Sequence, residues 1–145
     1  MAQETMLVVN TDEEKKEILR RYRRLLRQAK PYLKDGDAKL IKKAFNTSME
    51  AHKEMRRKSG EPYIYHPLAV AEICVNEIGL GTTSIICALL HDVVEDTPHT
   101  LADIEHEFGS EIAAIVEGAA EPDKSAPWED RKLHTINYLK TAPLP

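Results

Sequence analysis

An all-α domain is what this chain predicts, and three observations carry the prediction. Apolar residues recur at helical spacing through most of the sequence. No stretch alternates apolar and polar residues for long enough to make a strand. Capping residues, glycines and prolines divide the sequence into helix-sized segments. At 145 residues the chain is long enough for one compact domain with a sizeable core, and too short to argue for two.

The segments follow in order. Thr11 to Glu14 (T-x-x-E) has the form of a capping box, and Ile18, Tyr22, Leu25, Leu26 and Ala29 give the inward stripe of a first helix ending before Pro31. Asp37 is expected to cap a second helix, with Leu40, Ile41, Ala44, Phe45 and Met49 inward, that runs to about Arg57. "KSGEPYI" carries Gly and Pro and reads as a loop. Pro67 opens a third helix containing Leu68, Val70, Ala71, Ile73 and Cys74. Thr82 or Thr83 caps a fourth, ending near Val94. Thr100 caps a short fifth helix that Gly109 stops, and Ser110 caps a sixth through Val116. "EPDKSAP" is a polar loop, and Trp128 to Thr141 a last helix with Trp128 as a packing residue. The whole of 1–145 thus reads as a single domain. Residues 1–36 hold the N-terminal helix, 37–118 the main core, and 119–145 a C-terminal loop and helix.

Composition narrows the partners. A formal charge of −4 argues against a general nucleic-acid binder. The charge is uneven, with eight basic residues and one acidic residue between Lys15 and Lys30 and a mainly acidic stretch from Glu95 to Glu121. The inward stripe of that basic helix is an ordinary core face with most arginines outside it, so neither RNA nor the ribosome is expected as a partner. No apolar run approaches a membrane span, and the N-terminus lacks the basic start and long apolar core of a signal peptide. Cys74 and Cys87 lie in apolar helical patterns and form no C-x-x-C, so they read as reduced core thiols. A cytoplasmic protein with no membrane partner is the expectation.

The chemistry concentrates in "ALLHDVVEDT". His91 and Asp92 close an otherwise apolar helix, and a buried carboxylate needs a compensating positive charge. Consecutive helical residues point about 100° apart, so the two converge only on something just beyond the helix end or in a notch beside it. Two readings stay open for the pair: a hydrogen-bonded core histidine with an acidic cap, or two ligands of a divalent cation. His66, before Pro67 on a helix expected to pack alongside, offers a third ligand. Glu95 and Asp96 follow one turn later, as an acidic turn or as the pair that orients a water and handles its proton. Arg56, Arg57 and Lys58 lead into the preceding loop, as a solvated face or as a cationic wall for a phosphorylated substrate.

"AHKEMRRKSGEPYIYHPLAVAEI", "ALLHDVVEDT" and "FGSEIAAIVEG" closely resemble the hydrolase region of the RelA/SpoT (Rel) family, within the HD superfamily of metal-dependent phosphohydrolases. The resemblance runs from about Asp37 to Gly118. The helix before Pro31 resembles the start of the long Rel proteins, and "PDKSAPWEDRKLHTINYLKTAP" resembles stand-alone small alarmone hydrolases. The resemblance implies a compact multi-helix HD fold and removal of the 3′-pyrophosphate from the alarmones ppGpp and pppGpp in stringent-response control. It implies His66, His91 and Asp92 as metal ligands, with manganese the usual ion and iron or zinc also suited to these donors. Glu95 and Asp96 would position or activate the attacking water, and Arg57, Lys58 and Ser59 would hold the guanine nucleotide. His52 would support the site or the fold.

The family completes its metal site with an aspartate in a segment resembling "LADKLxN", where residues also contact guanine. This sequence stops at "TAPLP" before such a segment, and no aspartate after Asp130 stands in for it. The expectation is therefore a truncated domain that holds manganese weakly, hydrolyses ppGpp poorly, and forms a homodimer or is less stable. Two alternatives accompany it: an HD phosphohydrolase of another nucleotide such as NADPH, and a non-catalytic regulatory or interaction fragment.

Overall fold

The computed structural model describes residues 11–57, 59–78, 81–96, 100–118 and 136–139, with only the backbone at 77–78 and 95–96. The described elements are helical, apart from an isolated antiparallel bridge between Arg56 and Pro62. In chain order they are α1 (Asp12–Ala29), a 3-10 turn (Lys30–Tyr32), α2 (Asp37–Ala51), α3 (Tyr65–Ile73), a π-type turn (Cys74–Ile78), α4 (Thr82–Leu90), α5 (Val93–Asp96), α6 (Leu101–Phe108) and α7 (Ser110–Gly118). The all-α expectation holds.

α1 begins at the capping box its sequence announces. The Thr11 hydroxyl accepts the Glu14 amide at 3.2 Å, and the Glu14 carboxylate accepts the Thr11 amide at 3.0 Å. Ile18, Tyr22, Leu25 and Ala29 are buried along one face, and the Tyr22 ring stacks on Phe45 of α2 with centroids 4.2 Å apart. α6 repeats the device, with Thr100 and Asp103 exchanging hydrogen bonds. At α2 and α4 the expected caps are displaced by one residue. Gly36 takes the cap position of α2 with φ of 88°, a conformation that favours glycine. The Asp37 carboxylate instead accepts the Lys34 amide and the Thr82 hydroxyl, each at 2.8 Å. Gly81 precedes α4, and the Thr82 side chain is committed to Asp37 rather than to its own helix.

α2 stops at Ala51, about two turns short of Arg57. His52 ends it: its amide and its Nδ1 both donate to the Ser48 carbonyl at 3.0 Å. The chain then doubles back on itself, with the Tyr63 amide donating to the Met55 carbonyl and the Arg57 amide to the Glu61 carbonyl. α3 starts at Tyr65, two residues before Pro67, whose missing N–H is tolerated in a first helical turn.

α4 is the centre of the molecule. Every residue from Ser84 to Leu90 is buried, with α2, α3 and α7 packed around it. Full burial of a Leu or Ile side chain is worth roughly 1.5–3 kcal/mol, so Ile85, Ile86, Leu89 and Leu90 fix this helix in the interior. Ile136 and Leu139, in a helical turn at 136–139, join the same core. Cys74 and Cys87 are free and buried, and burial pushes each thiol up to about 12. Among the described residues, Leu19 and Tyr32 are the large hydrophobic side chains left exposed, and no helix is long and apolar enough to cross a membrane.

Candidate metal centre

α4 does not run on to Val94. It ends at Leu90, and His91 and Asp92 form a turn before α5. The two consecutive side chains face one point just beyond the end of the helix. His66, in the first turn of α3, faces the same point. Its Nε2 lies 3.2 Å from His91 Nε2 and 3.2 Å from Asp92 Oδ2, and His91 Nε2 lies 3.1 Å from that same oxygen. All three side chains are fully buried.

This triangle fits a divalent cation. Bonds of about 2.1 Å from one ion to nitrogen and oxygen ligands put neighbouring ligand atoms roughly 3.0–3.4 Å apart in octahedral or tetrahedral geometry. The observed edges fall in that range. The donor chemistry fits as well. The His91 Nδ1–H donates to the Ala88 carbonyl at 2.6 Å, which leaves the Nε2 lone pair facing the cluster. Burial lowers the His66 pKa, and the charges of His91 and Arg57 lower it further against the raising effect of Asp92, so its neutral form is favoured. Burial alone would raise the Asp92 carboxyl, but His91 and His66 outweigh it and hold the group well below the usual carboxylate range. Neutral imidazole beside ionised carboxylate is the state in which such residues bind metal.

Behind the cluster stands a residue from the loop before α3. Tyr63 donates its hydroxyl proton to Asp92 Oδ2 at 2.8 Å. Its ring stacks on His52, centroids 4.8 Å apart, and meets His66 edge-on at 5.8 Å. His52, bonded to the Ser48 carbonyl, thus backs Tyr63, and Tyr63 fixes Asp92. The available signal was the spacing: a tyrosine three residues before His66 lies one helical turn away, on the same side.

The basic loop divides in two. Arg56 is taken up by Glu14 of α1, with both guanidinium nitrogens on its carboxylate at 2.6 and 2.8 Å, and also donates to the Gly60 carbonyl. Arg57 is mostly buried, 3.7 Å from the Glu61 carboxylate, and close enough to the cluster for its charge to act on His66. Ser59 is exposed, its hydroxyl donating to Glu61 at 3.3 Å. Lys58 lies outside the described residues. Glu95 and Asp96 belong to α5, directly after the Asp92 turn, and their side chains lie outside the description.

Comparison with known proteins matches an HD domain model to residues 44–141, a span that includes His66, His91 and Asp92. The chain is 40% identical over 109 residues to the bifunctional (p)ppGpp synthase/hydrolase SpoT of Escherichia coli, covering 75% of this chain and 15% of that protein. It is 45% identical over 112 residues to a GTP pyrophosphokinase of Myxococcus xanthus, covering 75% and 15%. With the guanosine-3′,5′-bis(diphosphate) 3′-pyrophosphohydrolase MESH1 of Xenopus tropicalis it shares 48% over 100 residues, covering 67% of this chain and 55% of that protein. The chain therefore spans a small fraction of the long relatives and about half of the short one.

Proposed function

We propose a function from one premise: the chain belongs to the HD domain family, on its RelA/SpoT side. The reading is a metal-dependent pyrophosphohydrolase that removes the 3′-pyrophosphate of ppGpp and pppGpp, leaving GDP or GTP, in the cytoplasm. The observation that carries it is the closed triangle of His66, His91 and Asp92, whose ligand atoms all lie within 4.8 Å of one another.

His66, His91 and Asp92 would hold the ion, with manganese the expected choice. A dication there supplies positive charge to polarise a phosphoryl oxygen and to make water a better nucleophile. Tyr63 keeps Asp92 oriented, and Ala88 keeps His91 in the tautomer that presents Nε2. Arg57 stands beside the cluster as an anchor for the nucleotide's phosphates, and Lys58 and Ser59, next to it in sequence, would share that role. Glu95 and Asp96 are placed by sequence one turn beyond Asp92, where they would orient the attacking water and take up its proton. The names of SpoT and MESH1 supply the substrate class, and the family's motif residues supply the roles.

The test pairs metal analysis with a substrate panel. The purified chain is titrated with manganese and then assayed at saturating metal with ppGpp, pppGpp and NADPH. Expected are weak manganese binding that His91→Ala abolishes and slow release of pyrophosphate from the alarmones. Metal uptake that survives loss of both imidazoles would remove the site from the argument. Hydrolysis of NADPH in preference to ppGpp would keep the chemistry and change the substrate.

A further inference from the structure

α1 contributes no ligand to the metal centre, yet one of its side chains reaches the turn that carries Arg57. Both carboxylate oxygens of Glu14 accept from the Arg56 guanidinium, 42 residues away in sequence, in a two-pronged contact. Arg56 Nη1 also donates to the Gly60 carbonyl at 2.7 Å. One side chain thus ties α1 to the far side of its own turn. The two partners are only 15% and 25% exposed, so water and salt screen this pair less than an open surface pair. Glu14 is itself held in place, because its carboxylate also accepts the Thr11 amide in the capping box.

Arg57 is the next residue, and the same turn fixes its backbone. Its amide donates to the Glu61 carbonyl at 2.9 Å, and its carbonyl accepts the Gly60 amide at 2.8 Å. Gly60, with φ of 93°, is where the chain reverses. Arg56 grips the carbonyl of Gly60 while Arg57 grips its amide, so this one residue is held from both sides. α1 borders the site at a second place as well. The Arg21 guanidinium lies 3.8 Å from the centre of the Tyr65 ring, and Tyr65 directly precedes His66 at the start of α3.

Arg56 is therefore neutralised inside the protein, while Arg57 beside it is the cation whose charge reaches the metal centre. We propose that Glu14 and Arg56 are positioning residues for the phosphorylated substrate: their contact sets the turn so that Arg57 faces the metal centre, and neither touches the substrate. The proposal rests on the hydrolase reading above, in which Arg57 anchors the nucleotide's phosphates. It makes the first turn of α1 a working part of the substrate site.

Hydrolysis of ppGpp at saturating manganese, followed as KM and kcat, tests this together with hydrogen exchange in the turn. Glu14→Gln and Arg56→Gln should each raise KM about fivefold and leave kcat and manganese affinity as they are, because a misaimed anchor loses substrate binding and nothing at the ion. The double variant should be no worse than either single one, since both remove the same contact. Without nucleotide, exchange at the Arg57 and Gly60 amides should quicken in each variant. Thr11→Ala is the control: it weakens the start of α1 but leaves the Glu14 carboxylate on Arg56, so KM should not move. Unchanged KM or unchanged exchange in Glu14→Gln would overturn the positioning role alone. So would a rise of KM in Thr11→Ala as large as that in Glu14→Gln, which would assign the effect to helix stability. A parent chain that does not hydrolyse ppGpp would instead overturn the hydrolase reading, and the substrate role with it.

Discussion

The metal cluster and the basic loop serve one proposed reaction, yet they are built in opposite ways. His66, His91 and Asp92 are held from all sides by the core, and their geometry follows from where α3 and α4 pack. Arg56, Arg57 and Ser59 lie in the turn that closes at Gly60, pinned by Glu14 of α1 and by Glu61 on the returning chain. The cluster is thus preorganised by burial, while the loop is positioned by ion pairs that solvent and salt weaken. Ion binding should be stiff and all-or-none, and substrate binding adjustable.

Four substitutions break or sharpen that contrast. The largest effect belongs to Asp92→Asn, which keeps the shape of the side chain and removes its charge from between two imidazoles. Manganese affinity should fall at least about a hundredfold, since even outer partners of metal ligands are worth 10–100-fold; a change of only a few-fold would show that the ion is held elsewhere. Tyr63→Phe comes next. It leaves His66, His91 and Asp92 unaltered and frees Asp92 to rotate, so calorimetry should report affinity about tenfold lower with the helical signal intact.

Arg57→Ala probes the other region. It should raise KM for ppGpp about tenfold through the loss of a charge-assisted bond, with manganese affinity unchanged. A fall in metal binding of the same size would join the two regions into one unit and end the distinction.

The smallest effect is at Glu14→Gln, which loosens the loop's tie to α1 at a cost of about 1 kcal/mol in urea unfolding. The hydrogen bond from Arg56 is the main reason the Glu14 carboxyl is lowered from 4.5 to about 2. A depressed carboxyl contributes stability that is present above 4.5 and is lost as the pH falls towards 2. The difference between the native chain and Glu14→Gln should therefore shrink across that interval, and a difference that held constant to pH 2 would assign the effect to packing.

What the sequence conveyed and what it hid divide along similar lines. The capping box at Thr11 and the cap at Thr100 were legible because their partners lie within four residues. The α1 stripe was legible because one face of a helix repeats. The convergence of His66, His91 and Asp92 was anticipated from their motifs, and the position of His91 and Asp92 near a helix end already suggested a shared target. Less visible were features set by distant partners. α4 breaks at Leu90 although its apolar pattern continues through Val93 and Val94, so periodicity alone could not mark the turn. Asp37 and Thr82 look like caps in isolation, but they bond each other across 45 residues of sequence. Tyr63 was lost among loop residues because its role lies in a hydroxyl whose acceptor is 29 positions away.

Cys74 and Cys87 lend themselves to a further use. With their pKa values pushed up to about 12, both thiols are almost entirely protonated at neutral pH and shielded from reagents. An alkylating dye can reach Cys87 only when the central helix parts from its neighbours. Under native conditions the labelling rate is therefore a clock for the opening of the core, and no probe has to be introduced. A cation that bridges α3 to the end of α4 should slow that clock, so manganese occupancy could be read from the pace of thiol chemistry alone.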